Sequence, residues 1–154
     1  TYQNAALVTL GTGSQEKSLG EDINNCLFRG PVENVRDYLQ AADVFVMPSR
    51  YEGTSLAVLE AMACQLPVLL TRVGGNPEIV GHLKNGILIP PEKPECLAAW
   101  MEFLSDNISL RERQGAKARE TVRQRFSFDQ VIHDYEEICY SVLTEKNYFK
   151  KYIN

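Results

Sequence analysis

The sequence has 154 residues, 44% of them hydrophobic, and a formal net charge of −4. A chain of this length makes one domain able to bury roughly two thirds of the surface its unfolded form exposes. Its acidic balance and 9% aromatic content carry none of the basic excess that marks nucleic-acid-binding domains, and no apolar run approaches the ~20 residues of a membrane helix.

Apolar runs stand in chain order at residues 5–10, 26–28, 44–47, 68–70 and 86–89, separated by segments that read as helix or loop. This alternation predicts an α/β fold with a doubly wound, mainly parallel, Rossmann-like sheet. Gly11-Thr12-Gly13 follows the first run; without the third glycine of a dinucleotide fingerprint it reads as a turn.

The third run leads into the most informative segment. Val44, Phe45, Val46 and Met47 read as a buried parallel strand stopped by Pro48, which cannot donate to a sheet ladder. Leu56, Val58, Leu59, Met62 and Ala63 then recur at helical spacing, preceded by Gly53, Thr54 and Ser55, which suit a tight turn and an N-cap. The unpaired N–H groups and positive dipole end of such a helix attract anions, a diphosphate among them. Glu52 lies in the loop and Glu60 within the helix. A carboxylate accepts two hydrogen bonds side by side, which matches neighbouring hydroxyls of a sugar or a ribose. Two glutamates are more often plain solvated side chains; a place at the C-terminal edge of a parallel strand, where open α/β sheets bind ligands, favours the functional reading.

After Pro90-Pro91 the chain turns helical: residues 95–104 carry a mixed apolar face, and residues 110–126 are charged and weakly amphipathic. Arg111, Arg113, Lys117, Arg119, Arg123 and Arg125 interleave with Glu112 and Glu120, so a solvated face is expected there. Ser127 and Gln130 have the spacing of a capping box ahead of the stripe Phe128, Val131, Ile132, Tyr135, Ile138, Cys139, Val142 and Leu143. The tail from Lys146 to Ile153 mixes basic and aromatic residues in a manner suited to a membrane interface. Cys26, Cys64, Cys96 and Cys139 form no C-x-x-C pair and read as buried, reduced thiols. His82 and His133 have no thiol or second imidazole at ligand spacing, so no metal site is expected.

The segment from Glu52 to Glu60 resembles the glutamate, any seven, glutamate signature of the retaining glycosyltransferases of the glycogen-synthase-like superfamily (group 1), whose fold is called GT-B. Around it Tyr38-Leu39-Gln40-Ala41-Ala42-Asp43, Pro48-Ser49, Glu60-Ala61-Met62-Ala63, Pro67-Val68, Gly74-Gly75-Asn76-Pro77-Glu78-Ile79-Val80 and Asn85-Gly86 stand in the family's order. The likeness runs from about Leu7 to Tyr135 and is to the second, donor-binding domain of the two such enzymes have.

The resemblance implies a donor site for a nucleoside diphosphate sugar. Glu52 would serve in catalysis by positioning; Gly53, Thr54, Ser55 and Leu56 would hold the sugar and phosphate, and Glu60 the ribose. Gly30 and Pro31 would border the base, and Gly74 and Gly75 would allow close backbone approach to the ligand. It implies no cofactor and no metal, since paired aspartates for Mg²⁺ or Mn²⁺ have no counterpart. Residues 1–126 would form the nucleotide-sugar-binding domain, without the family's first strand and its arginine-lysine pair. Residues 127–154 would pack toward an N-terminal domain that binds the hydroxyl acceptor, a glycan, lipid or small molecule. A cytoplasmic location, with peripheral membrane contact left open, no nucleic-acid partner and an inactive isolated chain are expected. One rival is a degenerate, nonenzymatic module that binds a nucleotide or a partner; another, a receiver-like or flavodoxin-like domain, lacks its acidic cluster near Leu10.

Overall fold

The computed structural model describes residues 5–13 and 25–144. Each apolar run forms a strand, the fourth extended by one residue to Thr71: β1 (Leu7–Thr9), β2 (Cys26–Phe28), β3 (Phe45–Met47), β4 (Val68–Thr71) and β5 (Ile87–Ile89). Between and after them run helices α1 (Val35–Ala41), α2 (Leu56–Ala63), α3 (Asn76–Ile79), α4 (Pro94–Asp106), α5 (Ile108–Arg125) and α6 (Phe128–Thr144). Every strand pairing is parallel, as the α/β alternation predicts. Among the described residues the strands form two sheets, β1 with β2, and β3, β4 and β5 in that order.

The core gathers around β4. All four of its residues are buried, and alternation sends them to opposite faces. Val68 and Leu70 join Val58, Ala61 and Met62 of α2, with Leu39, Leu88 and Ala118. Leu69 turns the other way, with Ile87, Ile89 and Leu104 and the flanking Cys96, Leu97 and Trp100 of α4. Each such side chain contributes about 1.5–3 kcal/mol when fully removed from water, so this three-stranded sheet and its helices hold the fold.

The weak amphipathicity of α5 has a packing cause. Its buried positions are Gln114, Gly115 and Ala118, small or polar residues that raise no hydrophobic stripe. A methyl group at Gly115 would run into the Gln65 carbonyl, so glycine here sets how closely α5 lies on the turn after α2. Gln114 donates to the Leu83 carbonyl at 2.8 Å.

One expectation for the C-terminal half needs correction. Arg111 is no solvated residue: its side chain is largely covered and donates to the Leu104 and Ser105 carbonyls at 2.7 Å each, satisfying the orphan acceptors at the end of α4. Arg125 donates to the Glu78 carbonyl at 3.1 Å and stays exposed, as expected of a solvated face. Lys117 does face solvent, and its 2.7 Å hydrogen bond holds the Glu120 carboxyl below its ordinary range.

The four cysteines are free, but they are not buried as expected: Cys26, Cys64 and Cys96 are half-covered and Cys139 is exposed. The reason for Cys139 is α6 itself, whose apolar residues, Phe128, Tyr135, Ile138 and Leu143 among them, face solvent. At its start Ser127 Oγ accepts from the Gln130 N–H at 3.3 Å, while the Gln130 side chain turns to Asp134, so only half of the capping box forms. The tail from Lys146 to Ile153 lies outside the described residues. No described helix is long and apolar enough to cross a membrane.

Candidate functional site

β3 ends at Met47, and the loop of residues 48–55 carries the chain from its C-terminal end to α2. Glu52 is half-buried in this loop, and its Oε1 accepts from Ser49 Oγ at 2.7 Å. The short distance is that of a charge-assisted O–H···O⁻ bond. The described residues show no hydrogen bond to Oε2, so the carboxylate is oriented on one side and keeps acceptor capacity on the other.

Ser55 occupies the N-cap of α2 as the sequence suggests, but its side chain makes no capping bond. Its hydroxyl lies 3.6 Å from Met47 Sδ instead. The N–H groups of the first turn are therefore not consumed by a cap, and they open beside Gly53, Thr54 and Leu56, all exposed. Glu60 sits one turn further along α2, exposed. Tyr51, 89% exposed, flanks Glu52 on the other side.

The loop is backed by the turn after β4. A methyl group built on Gly74 (φ +50°) would collide with the Glu52 carbonyl, and one on Gly75 would stand 2.7 Å from the Gly53 carbonyl. These glycines thus let the turn after β4 approach the backbone of the loop bearing Glu52 closely. Below them Thr71 Oγ1 donates to the Ser49 carbonyl at 2.5 Å, and Asn76 Nδ2 to the Thr71 carbonyl at 2.9 Å. Both side chains are buried, and Asn76 Oδ1 has no partner among the described residues.

Gly30 and Pro31 follow β2. The Gly30 (φ +65°) carbonyl accepts from the Gly11 N–H at 2.7 Å, so the segments after β1 and β2 are tied together. No hydrogen bond among the described residues joins Gly30 or Pro31 to the Glu52 loop. The structure therefore brings Glu52, the α2 N-terminus, Gly74 and Gly75 into one cluster and leaves the region of Gly30 and Pro31 on a separate sheet. No group of three or more His, Cys, Asp or Glu side chains among the described residues is placed to hold a metal ion.

Residue patterning did not single out Ser49, Thr71 or Asn76. A threonine ending the apolar run 68–70 and an asparagine after two glycines were visible signals, but the bonds they make span 22 and 5 residues, so only the folded chain joins them.

The family model for glycosyl transferases of group 1 matches residues 1–107. N-acetyl-alpha-D-glucosaminyl L-malate synthase of Bacillus anthracis is 32% identical over 94% of this chain and 40% of its own length. The D-inositol 3-phosphate glycosyltransferase of Jonesia denitrificans is 32% identical over 80% of this chain and 32% of its own. Sucrose-phosphate synthase of Thermosynechococcus elongatus superposes with a TM-score of 0.79 at 26% identity, over 89% of this chain and 38% of that one. The Anabaena protein HepE, solved in complex with UDP-glucose, gives a TM-score of 0.79 at 24% identity over 88% of this chain and 41% of that one, a likeness of fold. The chain thus spans well under half the length of each of these proteins.

Proposed function

This chain belongs to the group 1 glycosyl transferases, with the parallel sheets and flanking helices of the GT-B fold, and we propose that it forms the donor-binding part of a retaining enzyme. That enzyme moves a hexose-like sugar from a nucleoside diphosphate to a hydroxyl acceptor in glycoconjugate synthesis. The carrying observation is the half-buried Glu52 carboxylate, oriented by Ser49 beside an α2 N-terminus that no side chain caps. UDP-glucose bound by HepE, a protein of the same fold, supports a nucleotide sugar as the ligand class.

In this reading Oε2 of Glu52 accepts from sugar hydroxyls, while the backbone of Gly53, Thr54, Ser55 and Leu56 meets sugar and phosphate. Glu60 accepts from the ribose diol, and Gly30 and Pro31 border the base. The α2 terminus offers about half a positive charge against the roughly two negative charges of a nucleoside diphosphate. Cationic side chains from outside this region complete the site, and no metal is called for. The acceptor binds mainly to a further domain of ~200 residues, of ordinary domain size, toward which α6 packs. The enzyme works in the cytoplasm, and the chain by itself is inactive.

Chemistry at such a site consists of stabilising the departing diphosphate while the acceptor attacks from the same face. Glu52 orients hydroxyls and supports developing positive charge; it forms no covalent bond. Paired titrations of the longer protein with UDP, GDP and ADP and their sugar conjugates test the reading. Glu60→Ala is expected to weaken diphosphate and conjugate alike by about 1–3 kcal/mol, the worth of a hydrogen bond to a charged group. Glu52→Gln is expected to spare the diphosphate and lower transfer about 10–10³-fold, as other single transition-state contacts do. Diphosphate affinity unchanged in Glu60→Ala defeats the ribose assignment, and a sugar covalently attached to Glu52 in the mass spectrum restores a nucleophile.

A further inference from the structure

Behind Glu52 stands a chain of three hydrogen bonds that runs from the core outward. Asn76, wholly buried, donates to the Thr71 carbonyl at 2.9 Å; Thr71 Oγ1 donates to the Ser49 carbonyl at 2.5 Å; Ser49 Oγ donates to Glu52 Oε1 at 2.7 Å. The three links join α3, β4 and the loop after β3. Two of the side chains, Thr71 and Asn76, are polar residues buried beside a core cluster of Val, Leu, Ile, Met and Ala side chains. Threonine at the end of a buried strand costs desolvation unless its hydroxyl is bonded, and here the bond holds the backbone of the residue that orients the carboxylate.

We infer that Ser49 is the positioning residue of Glu52, and that Thr71, held by Asn76, sets where Ser49 stands. The inference rests on the donor-binding reading of Glu52. Ser49 takes up Oε1 and so fixes which carboxylate oxygen faces the sugar; a free carboxylate would sample several rotamers. The Thr71 bond ties the peptide of Ser49 to the end of β4, and the close approach of Gly74 and Gly75 sets the Glu52 and Gly53 backbone against the turn that follows β4. Such support of a binding group by packed, hydrogen-bonded neighbours is what keeps a site within a few tenths of an ångström of its working geometry.

The experiment uses the longer protein and measures affinity for UDP, GDP and ADP and for UDP-glucose, ADP-glucose and GDP-mannose by calorimetry. Ser49→Ala is expected to leave the affinity for the tightest-bound diphosphate within about twofold while weakening its sugar conjugate about 10-fold, the effect of one lost hydrogen bond to a charged group. Thr71→Val is expected to weaken the conjugate about threefold, and Thr71→Ser, which keeps the hydroxyl, to restore it. Because Ser49 acts through Glu52, the double variant Ser49→Ala, Glu52→Gln should bind the conjugate within about twofold of Glu52→Gln alone. Additive losses, or a conjugate affinity unchanged in Ser49→Ala, overturn the positioning role while leaving Glu52 in place. If Glu52→Gln leaves both conjugate binding and transfer unchanged, or none of the three diphosphates binds, the donor reading fails first and the inference with it.

Discussion

β1 and β4 are nearly the same strand in sequence, Leu-Val-Thr against Val-Leu-Leu-Thr, and both pair in parallel and run into a glycine-bearing segment. Yet Leu7 and Val8 are each 42% exposed, while Val68, Leu69 and Leu70 are 0% exposed. β4 lies between β3 and β5 with core clusters on both faces, whereas β1 has β2 as its one strand neighbour among the described residues. An apolar run and a parallel partner specify a strand; they do not specify what covers it. The site divides along the same line. Glu52, Glu60, Gly74 and Gly75 stand on the well-packed sheet, and Gly30 and Pro31 on the thinly covered one.

The contrast is broken most severely by emptying the packed half. Leu70→Ala removes a fully buried side chain that touches the cluster of α2 and α5, and the close-packed surroundings relax only in part. A cost of about 3–5 kcal/mol is expected. Urea unfolding of the 154-residue chain measures it; a cost below about 1 kcal/mol would mean that β4 is not the centre of stability.

The next effect lies where fold and site meet. Gly74→Ala places a methyl group against the Glu52 carbonyl at a φ of +50°, adding left-handed strain to a steric clash. About 2–3 kcal/mol of stability should be lost, and with it donor affinity in the longer protein, because relief of the clash must push the Glu52 loop outward. Retained stability together with retained donor binding would show that the loop has room to move.

How much of this was legible follows the range of the interactions. Strands within residues 5–10, 26–28, 44–47, 68–70 and 86–89, and the onset of α2 after Ser55, are local patterns of apolar spacing and turn residues, and they formed as expected. The contact of Gly74 and Gly75 with the backbone of Glu52 and Gly53 spans 22 residues, and no periodicity announces it. Gln114, Gly115 and Ala118 carry the buried face of α5 without a hydrophobic signature. Ser55 shows the opposite failure: its cap position was legible, its side-chain partner Met47 was not.

The smallest effect is expected on the other sheet. Leu27 is 45% exposed on β2, so truncation to alanine removes roughly half of the burial that a core leucine supplies, whose full value is about 1.5–3 kcal/mol. The space it leaves opens to solvent, which removes the cavity penalty that makes core truncations expensive. Lower strand preference of alanine adds at most a few tenths of a kcal/mol. Leu27→Ala should therefore cost about 1 kcal/mol in this chain, several-fold less than Leu70→Ala, by the same urea titration. Repeating the measurement in a longer protein sharpens the comparison. If β1 and β2 gain a covering neighbour there, the cost of Leu27→Ala should rise toward that of Leu70→Ala, while the cost of Leu70→Ala stays as it was. Equal costs already in the 154-residue chain would mean that the two sheets are one core, and the contrast between β1 and β4 would fall.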